Sequence, residues 1–318
     1  MTKQTLSNIF DVQFSLRMGL EIEAMNGQGN TGNVSLTSKV TLSDGNIHDI
    51  TKGTMLSHKL VDNIYELVHP SELCEACRVK SPIRLGKIDK EDMDASLSLT
   101  GNYVKQCIIC DSAGFMSTEK DAVAKRSKPQ SFSAMIGVNP HVSQMLTRSR
   151  IDASEAGGKK RDEDSPSVST QMIMQQQVRS NVYAVNFRLS LGRIGFDDER
   201  LIYVTDDVDE LVRRMRINLL AARNLLIDMK GAKNSVFAPQ VTSLEGVITT
   251  RESAEDVLPG YSPMNADYKE VQALINPSAQ LFDSPVGLMQ AFHALLDDEK
   301  LKQLAERNLR YTGQLITE

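Results

Sequence analysis

Between Phe10 and Ala24 the apolar side chains fall on even positions. Phe10, Val12, Phe14, Leu16, Met18, Leu20, Ile22 and Ala24 lie on one side, and Asp11, Gln13, Ser15, Arg17, Glu21 and Glu23 on the other. A period of two predicts a strand with one buried face. Asn26-Gly27-Gln28-Gly29-Asn30 reads as a turn. A second alternating run follows, with Val34, Leu36, Val40 and Leu42 inward, up to the Ser43-Asp44-Gly45-Asn46 turn. These two runs are expected to pair as a hairpin. From Thr54 to Val68 the period changes: Leu56, Leu60, Ile64, Leu67 and Val68 recur at helical spacing until Pro70 stops them.

Residues 132–138 predict a short buried strand. The stretch 147–177 has almost no apolar periodicity and is expected to be a long mobile loop. Alternation returns at 181–191, through Tyr183, Val185, Phe187, Leu189 and Leu191. Thr205 or Asp206 can cap a helix with Leu211, Met215, Leu219, Ala222 and Leu226 on its inner stripe, ended by Gly231. Residues 244–250 predict a strand, and Ser284-Pro285 opens a final helical region. Without insertions the order is strand, helix, strand, strand, helix, strand. The fold class expected is therefore α+β, in the split βαβ or ferredoxin-like arrangement. That layout hosts many activities, so function has to come from the site.

Composition narrows the field. The 318 residues are 41% apolar and 24% charged, a globular chain of one elaborated domain or two compact ones. No run approaches the roughly 18 apolar residues of a membrane span, and no basic-then-apolar leader opens the chain. A cytoplasmic protein without a membrane partner is expected. The net charge is −5, yet residues 120–161 hold nine cations (Lys120, Lys125, Arg126, Lys128, Arg148, Arg150, Lys159, Lys160, Arg161) against Asp121, Asp152 and Glu155. A positive stretch in an acidic chain fits a polyanion footprint confined to one face, and it fits a solvated loop as well.

All four cysteines lie in two C-x-x-C pairs, Cys74 with Cys77 and Cys107 with Cys110, with 29 residues between the pairs. Two such pairs can close a four-sulfur structural zinc site. Inert buried thiols and redox chemistry are the competing readings. The redox motif is disfavoured because neither pair is expected to open a helix in a βαβ unit. Signatures of phosphate loops, dinucleotide folds, serine nucleophile elbows and zinc proteases are missing from the sequence. Asp197, Asp198, Glu199, Asp206, Asp207 and Asp209 read as turn and helix-start residues. No catalytic residue is assigned.

Several segments together carry a resemblance. EAMNG ends the first strand, GNVSLTSKVTLSDG follows, and KGTMLSHKL starts the first helix. CIICDSAGFM, MLTRSRID, VRSNVYAVNFRLSLGRIG and GAKNSVFAP come later in that order. Over residues 5–250 the chain resembles the DevR-type backbone subunit of type I CRISPR Cascade complexes, the Cas-seven family of the RAMP superfamily. The resemblance implies an RRM-like palm (1–69, 129–146, 179–250), a helical, cysteine-bearing fingers insertion (70–128), a thumb loop (147–178) and a C-terminal helical extension (251–318). It also implies a non-catalytic subunit that polymerises along CRISPR RNA and presents the guide in segments to target DNA. Partners would be copies of itself and other Cascade subunits. The outer faces of the first strands show Arg17 and Lys39 but no aromatic pair, so base stacking on the sheet is not expected.

Phosphate contact needs Lys or Arg ends, backbone N–H groups and small polar donors. By resemblance Asn26 and Lys233 lie on the RNA track. Lys52, His58 and Lys59 flank a helix start, Arg148 and Arg150 sit at the thumb base, and Gln175 and Gln177 face sugars or displaced bases. Met145 and Met172 are candidates for a wedge beside a kinked base. Two alternatives stand beside this reading. One is a RAMP-family target-RNA endonuclease using a loop aspartate such as Asp121. The other is a zinc-containing protein-interaction or regulatory protein.

Overall fold

The computed structural model describes residues 7–25, 27–86, 88, 90–119, 122–151, 171–229 and 238–315. Its strands and helices are, in chain order, β1 (Asp11–Glu23), β2 (Gly27–Thr31), β3 (Val34–Thr37), β4 (Lys39–Thr41), β5 (Ile47–Thr51), α1 (Gly53–Leu67), α2 (Glu75–Arg78), α3 (Leu99–Gln106) and α4 (Ile108–Ala113). Then come β6 (Phe115–Glu119), β7 (Ala122–Arg126), β8 (Gln130–Phe132), β9 (Met135–Pro140), β10 (Ser143–Ile151), β11 (Gln171–Ser190), β12 (Phe196–Asp197), β13 (Ile202–Tyr203) and α5 (Val208–Ile227). The C-terminal part holds β14 (Gln240–Arg251), α6 (Tyr268–Ile275), β15 (Gln280–Phe282), α7 (Pro285–Leu295) and α8 (Asp298–Tyr311).

The main sheet runs β14-β1-β11-β9, antiparallel throughout, with β15 outside β14 and β5-β4 outside β9. This is the strand order of a split βαβ unit, with α1 and α5 as its two crossover helices packed on each other. The fold is thus α+β and ferredoxin-like in its strand order. Phe14 stacks on Phe187 at 4.5 Å, and Phe187 on Phe132 at 4.9 Å. Phe292 of α7 covers Phe14 at 5.5 Å, so the C-terminal helices join the same core. Ser284 caps α7 by accepting from Gly287 N at 3.2 Å, with Pro285 at the first helical position, as its sequence predicts. No helix among the described residues is long and apolar enough to cross a membrane.

Four expectations are corrected. First, β1 does not pair with the 34–42 run, because both its edges are taken by β11 and β14. The segment read as a turn is itself strand β2, which pairs with β3 across a turn at Gly32, where φ is +56°. Second, β1 is buried on both faces. The Gln13 amide donates to Pro259 O, and Arg17 donates to Pro263 O at 2.6 Å and Asn265 O at 3.0 Å while lying over the Tyr268 ring. Third, the alternation breaks at Ile22, whose φ of +51° and register shift turn Ile22 out to solvent and Glu23 into the core. Fourth, both flanks of the expected thumb loop are strands: β10 and β11 form one antiparallel ladder from Ser143↔Arg179 to Ile151↔Gln171. The segment between them, with Lys159, Lys160 and Arg161, lies outside the described residues.

Candidate functional site

Strand β11 continues past the four-stranded core of the main sheet as one side of the β10–β11 ribbon, and β3 adds to it in parallel at Gln175↔Val34 and Gln176↔Ser35. In an antiparallel ladder, opposite residues share a face and neighbours alternate. Arg148 is opposite Met174, and positions 150 and 172, two residues on, fall on the same side. Met145, Gln175 and Gln177 belong to the other side. The thumb residues proposed from sequence are therefore split between two faces.

Gln177 is buried, and its amide is engaged: it donates to Ser143 Oγ at 2.6 Å and accepts from Thr37 N at 2.9 Å and Thr37 Oγ1 at 3.0 Å. It ties β3 to the ribbon. Gln175 and Met145 are exposed. Arg148 is half-buried.

The root of the ribbon is a buried charge network. The Arg179 guanidinium is wholly enclosed, paired with Glu23 and 3.6 Å from Asp49, both equally enclosed. It donates to Ser38 O at 2.6 Å, Met25 O at 3.1 Å and Ile50 O at 3.4 Å. Burial works against the charge, but Glu23 and Asp49 outweigh it, so Arg179 holds its proton more tightly than an ordinary arginine. Tyr183 donates to Glu23, and burial beside that carboxylate raises the phenol's pKa. Asp49 is completed by Asn181 Nδ2 at 2.9 Å and by His141. His48 joins Gly137 O at 2.8 Å and Asp44 at 3.1 Å. Burial disfavours its charged form, yet these acceptors prevail and raise its pKa.

Through Arg179 the structure brings together three stretches that the sequence singled out separately. Met25 precedes Asn26, Ile50 lies two residues before Lys52, and Arg179 faces Ser143 where the ribbon starts. Lys52 is exposed at the N-cap of α1. Lys59 is half-buried and bound to Asp62 at 2.9 Å, and the exposed His58 reaches the same carboxylate at 3.9 Å, so both work partly within α1. Asn26, Lys233, Lys120 and Asp121, and the side chain of Arg150, lie outside what is described. The buried network was not singled out from the sequence. The signal for it was four charged or polar residues (Glu23, Asp49, Arg179, Asn181) within otherwise strand-like runs.

A second centre sits in the inserted segment. Cys74 is the N-cap residue of α2, and Cys107 caps α4 by accepting from Cys110 N; neither helix lies in a βαβ unit, and all four sulfurs converge. Cys110 Sγ lies 3.8 Å from Cys74 Sγ and 3.8 Å from Cys77 Sγ, and the four sulfurs fall within 4.8 Å of one another, all buried. Thiolates about 2.3 Å from a tetrahedral ion stand about 3.8 Å apart, so the donor set and spacing fit a closed metal site. Thiol–thiol hydrogen bonding from Cys107 pulls Cys74 down and pushes Cys77 and Cys110 up. Such a crowded set favours a shared cation. Among the other acids, Asp111 accepts from Arg126 at 2.6 Å, Arg214 at 3.2 Å and Gly195 N at 2.8 Å. Arg126 is thus a buried strut between α4 and the Arg193 and Phe196 carbonyls, with its charge paired to Asp111. Asp197 is likewise buried, accepting from Ser98 N and Oγ, both at 2.7 Å.

A family model described as CRISPR-associated negative auto-regulator DevR/Csa2 matches residues 14–273. Among solved structures, the chain is similar to one titled "CRISPR RNA-guided surveillance complex, pre-nicking", with TM-score 0.44 and 10% identity, over 75% of this chain and 78% of that one. Another, titled "CRISPR RNA-guided surveillance complex", has TM-score 0.40 and 11% identity over 74% and 68%. No curated protein is similar enough in sequence to match.

Proposed function

Because the chain belongs to the CRISPR-associated DevR/Csa2 family, we propose that it is a non-catalytic subunit of a Cascade-type complex that binds CRISPR RNA. The ribbon grips the sugar-phosphate backbone, and copies of the chain polymerise along the guide, leaving short segments free to pair with target DNA. Arg148 and Arg150 neutralise phosphates from one ribbon face, with Met174 and Met172 on the same side. Lys52 adds a phosphate contact where β5 meets α1. Asn26 and Lys233 remain on the proposed track, and Gln175 presents its amide from the opposite face. Cys74, Cys77, Cys107 and Cys110 hold a structural zinc ion that ties α2 to α4. Four protein ligands close its coordination shell and leave no position for a reacting water.

The observation that carries this reading is the convergence at Arg179. One buried guanidinium fixes the chain before Asn26, the chain before Lys52 and the first rung of the ribbon. Cations on such a fixed frame can follow a backbone without reading bases. Sequence-independent binding of this kind weakens with salt, at a slope of about −0.7 per phosphate on a single strand. Arg148→Ala should therefore weaken RNA binding and flatten the salt slope by about 0.7. Unchanged affinity and slope would remove the ribbon from the interface. Purification from cells that express the CRISPR RNA should yield nucleoprotein with RNA of uniform length. Recovery with protein partners and no RNA would favour a regulatory role instead.

A further inference from the structure

Where the cysteine-bearing segment meets the β6–β7 hairpin, an open cleft of about 640 Å³ is lined by Arg84, Lys125 and Lys128, with Ile83, Phe115 and Met116 at its apolar walls. No carboxylate lines it among the described residues. Lys125 and Lys128 are exposed and Arg84 is half-buried, whereas several cations elsewhere in this acidic chain are paired: Lys59 with Asp62, Lys269 with Glu245, Arg214 with Asp111. Arg84 spends Nη1 on Ala113 O at 2.7 Å and Gly114 O at 2.9 Å. Among the described residues Lys128 donates to the neutral Ser57 Oγ alone, at 3.2 Å. Burial and then the Arg84 charge lower its pKa, which is what a cation lacking its anion shows. Ile83 and Met116 are 73% and 63% exposed, so large apolar side chains stand in water beside unbalanced charge.

The cleft is remote from the ribbon. Lys128 precedes Pro129, whose carbonyl accepts from Ser190 N at the far end of β11, whereas the ribbon starts at Arg179. The intervening length of strand is roughly 36 Å. The walls are held by the cysteine cluster, since Arg84 follows the Cys74–Cys77 pair and Ala113 ends the helix that carries Cys110.

We propose that this cleft takes one unstacked nucleotide of a single strand, its phosphate on Lys125, Lys128 and Arg84 and its base between Ile83 and Met116. A basic groove with apolar platforms is how single strands are held without sequence preference, and the cleft's volume suits a ligand of that size. The inference rests on the RNA-binding reading above only in that the chain meets a nucleic acid.

The test measures anisotropy of a fluorescein-labelled oligouridylate, and of a duplex of equal length, with the full chain at several salt concentrations. Lys125→Ala with Lys128→Ala should lower affinity and flatten the salt slope by about 1.4 for the single strand. Ile83→Ser with Met116→Ser should lower single-strand affinity about fivefold with the slope unchanged, and leave duplex binding as it was. Melting temperatures of both variants within the wild-type error exclude unfolding as the cause. If both cleft variants bind like wild type while Arg148→Ala binds worse, the cleft proposal fails and the ribbon reading stands. If Arg148→Ala is silent and the cleft variants are weak, the ribbon reading fails alone. A wild type that binds neither probe overturns both, and equal loss on the duplex overturns the base-holding step.

Discussion

Replacing Arg179 with Met is the most demanding test of the ribbon root. The substitution keeps most of the side-chain volume but leaves Glu23 and Asp49 fully buried without their shared cation, and strips donors from three carbonyls. Removing one partner of a buried pair costs about 3–5 kcal/mol, because the charge left behind is uncompensated. With a urea m-value of about 3 kcal/mol per molar for a chain of this size, the midpoint should fall by about 1–2 M. Converting Glu23→Gln in the same chain removes the orphaned charge, so the double variant should recover a large share of the loss. Hydrogen exchange should localise the damage to β3 and the first rungs of β10–β11, with α5 protected as in wild type. The reasoning is refuted if the single variant unfolds within about 0.3 M of wild type, or if the double variant is no more stable than the single one.

His48 should give the protein a pH-dependent increment of stability. Its folded pKa is raised above the ordinary value of 6.5, so the gain is complete below that value and disappears as pH rises through the higher one. The melting temperature of wild type should exceed that of His48→Gln most at mildly acidic pH, the gap closing on the alkaline side; a constant gap would contradict the assignment. At the cysteine centre, metal analysis should find about one zinc per chain in wild type and a loss in Cys110→Ser, accompanied by a lower melting temperature. Melting that chelators leave untouched would argue for inert thiols.

The elements that could be read from sequence are those whose burial is governed by their own periodicity. The helix over Gly53–Leu67, the inner stripe of Val208–Ile227 and the Ser284 cap follow from local spacing and capping chemistry alone. The partner of β1 did not follow, since an alternating strand carries no mark of which edge it will meet. The inward turn of Glu23 is hidden from the alternation because a bulge at Ile22 inverts the pattern, and a positive φ at a β-branched residue has no signal in the residues around it. The ribbon carries no hydrophobic period in its sequence: exposed Thr147 lies opposite exposed Gln175, and apolar Ile173 is paired with Ser149. Of the candidate site, the four cysteines were legible from spacing. The neighbourhood of Arg84 and Lys128 has no sequence signal, because it is created by chain segments that meet only in the folded state.

The covering of β1 by residues near 260 sets an order of events during synthesis. Gln13 and Arg17 find the carbonyls of Pro259, Pro263 and Asn265 only after some 246 further residues have been added. Until then the strand at the centre of the sheet keeps one side open to water, and its pairing with β14 is delayed to nearly the same moment. Contacts of such long sequence separation form late and slowly. A chain interrupted before residue 240 would expose an unpaired strand edge at the heart of the protein, the feature that invites aggregation. Folding yield should therefore depend on residues 240–265 more than on any loop at the periphery.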